Sequence, residues 1–352
     1  MGGTERVLSA LIASYPRARL LAPRFERSNV PAGAQPEWDS RVVELGRARR
    51  KLHHLAPVYA RWVAAAPIER ARVVLTLVHG GWAAAAPVPS GARHVSYCAG
   101  PPRALYGQED HYLRAYPAAA RPFLRAALPP LRAHYRALMR RSGRLLTNSL
   151  ASAAGLERLV GQRAEVVYPP VRTDFFTPGT GPREHFLAVA RVTPQKRIDV
   201  LVDAFRGLDE RLVVVGGGPW LDRLRAAAPP NVSFAGYVSD DELLRLYRRS
   251  HAVVCPSVEE FGIVMVEAHA CGTPVVAPRA GGALEIVADG ATGLLVDRLD
   301  AESVRSAVRA IRGRAFDARE LRASAERFSV DRFASRMDAI LAEEHELSLA
   351  PR

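Results

Sequence analysis

Glu259 and Glu267 are separated by seven residues in the segment PSVEEFGIVMVEAHACGTPVV, Pro256 to Val276. The short apolar run Ala252 to Cys255 precedes it, so the segment reads as strand, loop and then a helix opening at Gly262 or Ile263. Glu259 falls in the loop and Glu267 about two turns along the helix. A glycine at 262 lets backbone approach a ligand closely. Unpaired amides near Gly262, Ile263 and Val264, at the positive end of the helix, suit a phosphate group, and the two carboxylates suit hydroxyls. Acids are favourable near a helix N-terminus in any case, so a single glutamate there would carry no functional meaning.

Two cations supply the complementary chemistry. Arg191 and Lys196 lie in VARVTPQKRID, Val189 to Asp199, just past the apolar run Phe186 to Ala190. A guanidinium and an ammonium at that point stabilise charge developing on a departing diphosphate, and no metal is then required. Each could be an ordinary surface charge, but lysine occurs only at Lys51 and Lys196 in a chain dominated by arginine. Arg197 is expected to face solvent. Gly216, Gly217 and Gly218 follow the run Leu212 to Val215; a glycine triplet alone is more often a tight turn than a phosphate cradle.

These residues need a frame. Short apolar runs at Val73 to Val78, Glu165 to Tyr168, Phe186 to Ala190 and Leu212 to Val215 alternate with stretches of helical period. Such alternation predicts α/β architecture with parallel, doubly wound sheets, whose ligands sit beyond the carboxyl ends of the strands. The stretch RTDFFTPGTGPRE marks a boundary, giving lobes over 1–178 and 184–330. Residues 331–352 follow; Phe333, Met337, Ile340 and Leu341 form an apolar stripe on a helix expected to pack back across the first lobe.

Composition bounds the rest. A length of 352 residues suits two domains, and no stretch approaches the ~20 apolar residues of a membrane-spanning helix. No secretory leader is visible at the start, so a cytoplasmic location is expected. Cys98, Cys255 and Cys271 match neither a disulfide framework nor a zinc motif. The net charge of +13 comes without an RNP, zinc-finger or helix-turn-helix pattern, so no specific nucleic-acid partner is expected. The arginine-rich stretches Arg47 to Trp62 and Leu113 to Arg144 read first as solvated helix faces, with weak peripheral association at the inner face of the membrane as a side hypothesis.

Taken in order, ARVTPQKRIDVLVDAF, VVVGGGP, NVSFAGYVSDDELLRLY, EEFGIVMVEAHACGTPVVA and GGALEIVADGATGLLV resemble the C-terminal half of family 4 retaining glycosyltransferases. The family signature is Glu-x7-Glu around FGI or FGL, which Glu259 satisfies with Glu267 and Glu260 does not. The resemblance implies the GT-B fold, two Rossmann-like domains facing a cleft. It implies Glu259 at the transferred sugar, Glu267 at the ribose, and Arg191 and Lys196 at the diphosphate. It also implies main chain near Tyr237 and Val238 at the base, with Gly281 and Gly282 shaping the pocket and Gly2 and Gly3 near the donor phosphate. Partners would be a nucleotide diphosphate-sugar and a glycan or lipid-linked acceptor, with no cofactor and no metal. The motifs are most similar to mannosyltransferases of polysaccharide or lipid-linked glycan synthesis, making GDP-mannose the first choice of donor.

Two departures stand out. Ala99 follows Tyr-Cys where related sequences carry histidine, and the chain opens inside a glycine-rich loop that a strand normally precedes. The first strand of the N-terminal domain is thus expected to be missing, with the true start upstream of Met1. These departures motivate one alternative, a catalytically impaired GT-B protein acting as partner or scaffold; a second is a sugar-nucleotide epimerase on the same architecture, which would need its own acid and base groups facing the nucleotide sugar.

Overall fold

The computed structural model describes residues 3–18, 63–66, 68, 70–78, 82–107, 109–114 and 116–349. The chain forms two compact units, one of residues 1–169 with 333–352 and the other of residues 170–332. The division falls between Pro169 and Pro170. Phe176, in the stretch read from sequence as connecting, is fully buried in the second unit with its ring edge-on to Tyr247.

In the first unit, β1 (Val73–Val78), β2 (Arg93–Cys98), β3 (Arg144–Thr147) and β4 (Glu165–Val166) form a parallel sheet in that order. The first element among the described residues is the helix Gly3–Ser14. Its Val7, Ala10 and Leu11 pack with Val95, Tyr97 and Leu146 of the strands and with Phe333, Met337 and Ile340 of the helix Val330–Leu347. A second cluster combines Cys98 and Leu145 with Tyr135, Leu138 and Met139 of the helix Leu128–Arg140 and Leu156 and Val160 of the helix Leu150–Val160. Period-2 strands bury both faces only when helices cover each side, which gives the doubly wound arrangement. Glu343 and Glu344 reach Arg144 and Arg93, both at 2.7 Å, and fix the last helix against the strands.

The second unit holds six parallel strands: β5 (His185–Val189), β6 (Leu212–Val215), β7 (Val232–Gly236), β8 (Ser250–Val254), β9 (Val275–Pro278) and β10 (Gly293–Val296), ordered β10-β9-β8-β5-β6-β7. Counted from β5 this is the 3-2-1-4-5-6 order of dinucleotide-binding sheets. The order reverses between β5 and β8, and crossover connections leave an opening beyond their carboxyl ends. The core joins Phe186, Leu212 and Val254 of the strands to Leu201 and Phe205 of the helix Ile198–Phe205 and Val304 and Val308 of the helix Ala301–Arg312. Among the described residues no helix is long and apolar enough to cross a membrane.

Candidate functional site

Of the expected site residues, Lys196 and Glu259 meet at the reversal point. After β5 the chain makes a short 3-10 turn, Pro194–Lys196, and Arg197 then takes a left-handed backbone (φ 50°) before the helix Ile198–Phe205 begins. After β8 the loop 255–262 leads to the helix Ile263–Ala270. The two loops place Lys196 Nζ at 2.6 and 2.5 Å from the two carboxylate oxygens of Glu259. Both side chains are about one-fifth exposed, at 21% and 22%. The buried Ser257 donates from its hydroxyl to Glu259 Oε1 at 2.6 Å. Nearby, the Cys255 thiol is pushed up to about 12 by loss of solvent and by the Glu259 carboxylate, with Lys196 opposing.

Backbone contacts hold the Glu259 loop in place. The Gly282 amide donates to the Glu259 carbonyl at 2.9 Å. A Cβ at Gly281 would lie 2.3 Å from that carbonyl oxygen, and a Cβ at Gly282 would lie 2.0 Å from the Phe261 carbonyl oxygen. Only glycine allows this approach at either position. Gly262 precedes the helix with φ 103° and no side chain caps it, so the first-turn amides of Ile263 and Val264 have no intrahelical acceptor.

Arg191, Tyr237 and Val238 follow β5 and β7 of the same sheet. Arg191 is exposed after β5, and its guanidinium has no partner among the described residues. Tyr237 is 81% exposed after β7, with its ring so close to Gly217 that a Cβ there would lie 2.7 Å from it. Val238 is half-buried beside it. The glycine triplet has a packing role: Cβ atoms at Gly216 and Gly218 would lie 2.1 and 2.4 Å from the carbonyl oxygens of Ala190 and Val192. The triplet therefore lets the β6 loop abut the backbone leading to Arg191. Arg197 is exposed, with Asp199 at 3.5 Å. Gly3 begins the first helix, and Gly2 lies outside the described residues, as does the stretch Arg47 to Trp62.

Glu267 is 1% exposed, and its Oε2 accepts from the Tyr247 hydroxyl at 2.7 Å. Tyr247 lies in the last turn of the helix Asp240–Arg248 and is itself fully buried. This partner was not foreseen from sequence, nor was Ser257. Ser257 lies two residues before Glu259 and offered a weak local signal, whereas Tyr247 is brought to Glu267 only by tertiary packing. Among the described residues no group of three or more His, Cys, Asp or Glu is placed to hold a metal ion.

Open α/β sheets of this strand order take their ligands at the reversal point, where Lys196 and Glu259 are paired. Residues 173–327 match the family described as "Glycosyl transferases group 1", and the second unit carries that domain. The chain is 39% identical to D-inositol 3-phosphate glycosyltransferase of Mycobacterium sp. (strain KMS), over 49% of this chain and 45% of that protein. It is 35% identical to the GDP-mannose-dependent alpha-(1-6)-phosphatidylinositol monomannoside mannosyltransferase of Mycolicibacterium smegmatis, over 40% of this chain and 44% of the relative. The chain thus spans about half the length of these curated relatives. In fold it is similar to Anabaena HepE solved with UDP and glucose, with TM-score 0.68, 18% identity and coverage of 97% of this chain and 96% of that one. The two α/β domains have the GT-B fold.

Proposed function

We propose that the protein is a retaining glycosyltransferase that moves a hexose from a nucleotide diphosphate-sugar onto a glycan or lipid-linked acceptor. Mannose from GDP-mannose is the first choice. The observation that carries the reading is the Lys196–Glu259 pair at the β5/β8 reversal point of a group 1 domain. Likeness to a GDP-mannose-dependent relative favours the donor.

In this reading Arg191 and Lys196 face the diphosphate and offset the charge that builds as the glycosidic bond breaks. The open amides of Ile263 and Val264 add partial positive charge from the helix end. Glu259 takes hydroxyls of the transferred sugar, Glu267 the ribose, and main chain at Tyr237 and Val238 the base. The departing phosphate helps deprotonate the acceptor hydroxyl, so no separate nucleophile and no metal or other cofactor enter the scheme. The protein works in the cytoplasm. Arg114, Arg125, Arg136, Arg140 and Arg141, all exposed, with Phe123 at 79% exposure, support weak contact with an anionic membrane face. Failure to float with anionic vesicles at low salt would remove that part of the reading.

The test is turnover. The full chain is incubated with GDP-mannose or UDP-glucose and a panel of glycan and lipid-linked acceptors, and the anomeric configuration of any product is read by NMR. Transfer with retention supports the reading; binding of donor without turnover on any acceptor would point instead to a scaffold, and an epimerised donor to an epimerase.

A further inference from the structure

We propose that Glu259 is an internal stand-in for the donor diphosphate: it holds Lys196 until a sugar nucleotide binds, yields it to the diphosphate, and reclaims it to expel the nucleoside diphosphate after transfer. The inference rests on the donor-site reading above.

Lysine carries three donors, and the Glu259 carboxylate takes contacts from Lys196 Nζ with both of its oxygens, at 2.6 and 2.5 Å. The pair is only about one-fifth exposed, so the ammonium is already largely stripped of water. Glu259 does not depend on Lys196 for its position. Ser257 donates to Oε1, Gly282 donates to the Glu259 carbonyl, and the backbone of Gly281 and Gly282 packs directly against the 259–261 loop. Lys196 sits on a short turn and is joined to Glu259 by the long, flexible lysine stem alone. The carboxylate is therefore the fixed partner and the ammonium the movable one.

An incoming diphosphate competes with Glu259 for the ammonium. A partly buried carboxylate that loses its cation must find other donors. Sugar hydroxyls supply them, so a donor compensates Glu259 for the loss of Lys196. A nucleoside diphosphate without its sugar cannot. Once the sugar has gone to the acceptor, Glu259 is left with the Ser257 hydroxyl as its one remaining donor, the Lys196 pair re-forms, and the nucleotide is weakened in its grip. Glu259 thus discriminates donor from product and assists product release. Ser257 is a positioning residue that holds the carboxylate through the exchange.

Calorimetric titration of the full chain with GDP, UDP, GDP-mannose and UDP-glucose tests the exchange, in wild type, Glu259→Gln, Glu259→Asp and each of these combined with Lys196→Gln. Glu259→Asp retains the charge but shortens the arm by one methylene, so it separates pairing from simple repulsion; it also serves if Glu259→Gln fails to fold. The expected result is that the nucleoside diphosphate binds about tenfold more tightly to Glu259→Gln and Glu259→Asp, the worth of one charge-assisted hydrogen bond. The matching sugar nucleotide should lose its advantage over the diphosphate in both. In the Lys196→Gln background the gain should fall below about threefold, because no pair remains to be broken. An unchanged or weaker diphosphate affinity in Glu259→Asp, or an equal gain with and without Lys196, overturns the exchange while leaving the donor site standing. Absence of nucleotide binding in wild type and every variant overturns the donor site itself.

Discussion

Gly282→Ala isolates the geometry of the site from its charges. Gly282 has an ordinary right-handed backbone (φ −64°), so alanine there meets no torsional obstacle. The obstacle is steric: the new Cβ would lie 2.0 Å from the Phe261 carbonyl oxygen and 2.5 Å from Phe261 C and Cα. These are backbone atoms and cannot rotate away. Restoring about 3 Å of separation requires the 259–261 loop to move by about 1 Å, and a displacement of that size near reacting groups costs about 100-fold in rate. The Gly282 amide also donates to the Glu259 carbonyl, so the shift carries directly to the Lys196 pair. Overpacking costs about 1–3 kcal/mol of stability, or several degrees of melting temperature, and the variant should remain folded at room temperature. Donor turnover is measured beside a thermal melt. The expected pattern is a rate loss of about 100-fold in a folded protein; wild-type turnover in Gly282→Ala would refute the claim that this glycine places Glu259.

Glu267→Ala leaves the buried Tyr247 hydroxyl without its acceptor and opens a cavity, so it should destabilise by about 2–4 kcal/mol as well as weaken donor binding. Glu267→Gln retains an acceptor for Tyr247 and should melt closer to wild type; equal melting of the two variants in urea would contradict the assigned contact. Burial pushes the His269 pKa from 6.5 down to about 4, with the hydrogen bond to the Thr292 carbonyl opposing. The folded state resists protonation that the unfolded state accepts, so stability present above pH 6.5 is lost as pH falls toward 4, by about 3 kcal/mol from this group. Urea midpoints that do not fall over that range, or that fall equally in His269→Gln, would sink the assignment. Transfer should persist after exhaustive treatment with EDTA, and activity restored only by an added divalent ion would contradict the metal-free scheme.

Much of this was legible in sequence because the signals were local. The apolar runs at 73–78 and 212–215 are strands over those same residues, since parallel strands covered on both faces read as continuous hydrophobic segments. The stripe of Phe333, Met337 and Ile340 is buried, as its helical period requires. The loop position of Glu259 and the helical position of Glu267 likewise followed from the strand-to-glycine-to-helix pattern. What sequence could not supply was partnership. Lys196 and Glu259 are 63 positions apart and meet because β5 and β8 are neighbours, a fact of strand order. Tyr247 finds Glu267 by helix packing, with no local pattern to mark it. The glycine triplet was visible but its reason was not, because its partners are the carbonyls of Ala190 and Val192 on the adjacent strand's loop.

We propose a sugar-nucleotide site in the second unit, centred on Lys196 and Glu259. Its most direct test is calorimetric titration of the full chain, beside Lys196→Met, with GDP, UDP, GDP-mannose and UDP-glucose. Saturable binding of one nucleotide family by the wild-type chain, weakened at least about tenfold in a folded Lys196→Met variant, is the predicted result; no binding of any nucleotide, or binding indifferent to Lys196→Met, would contradict it.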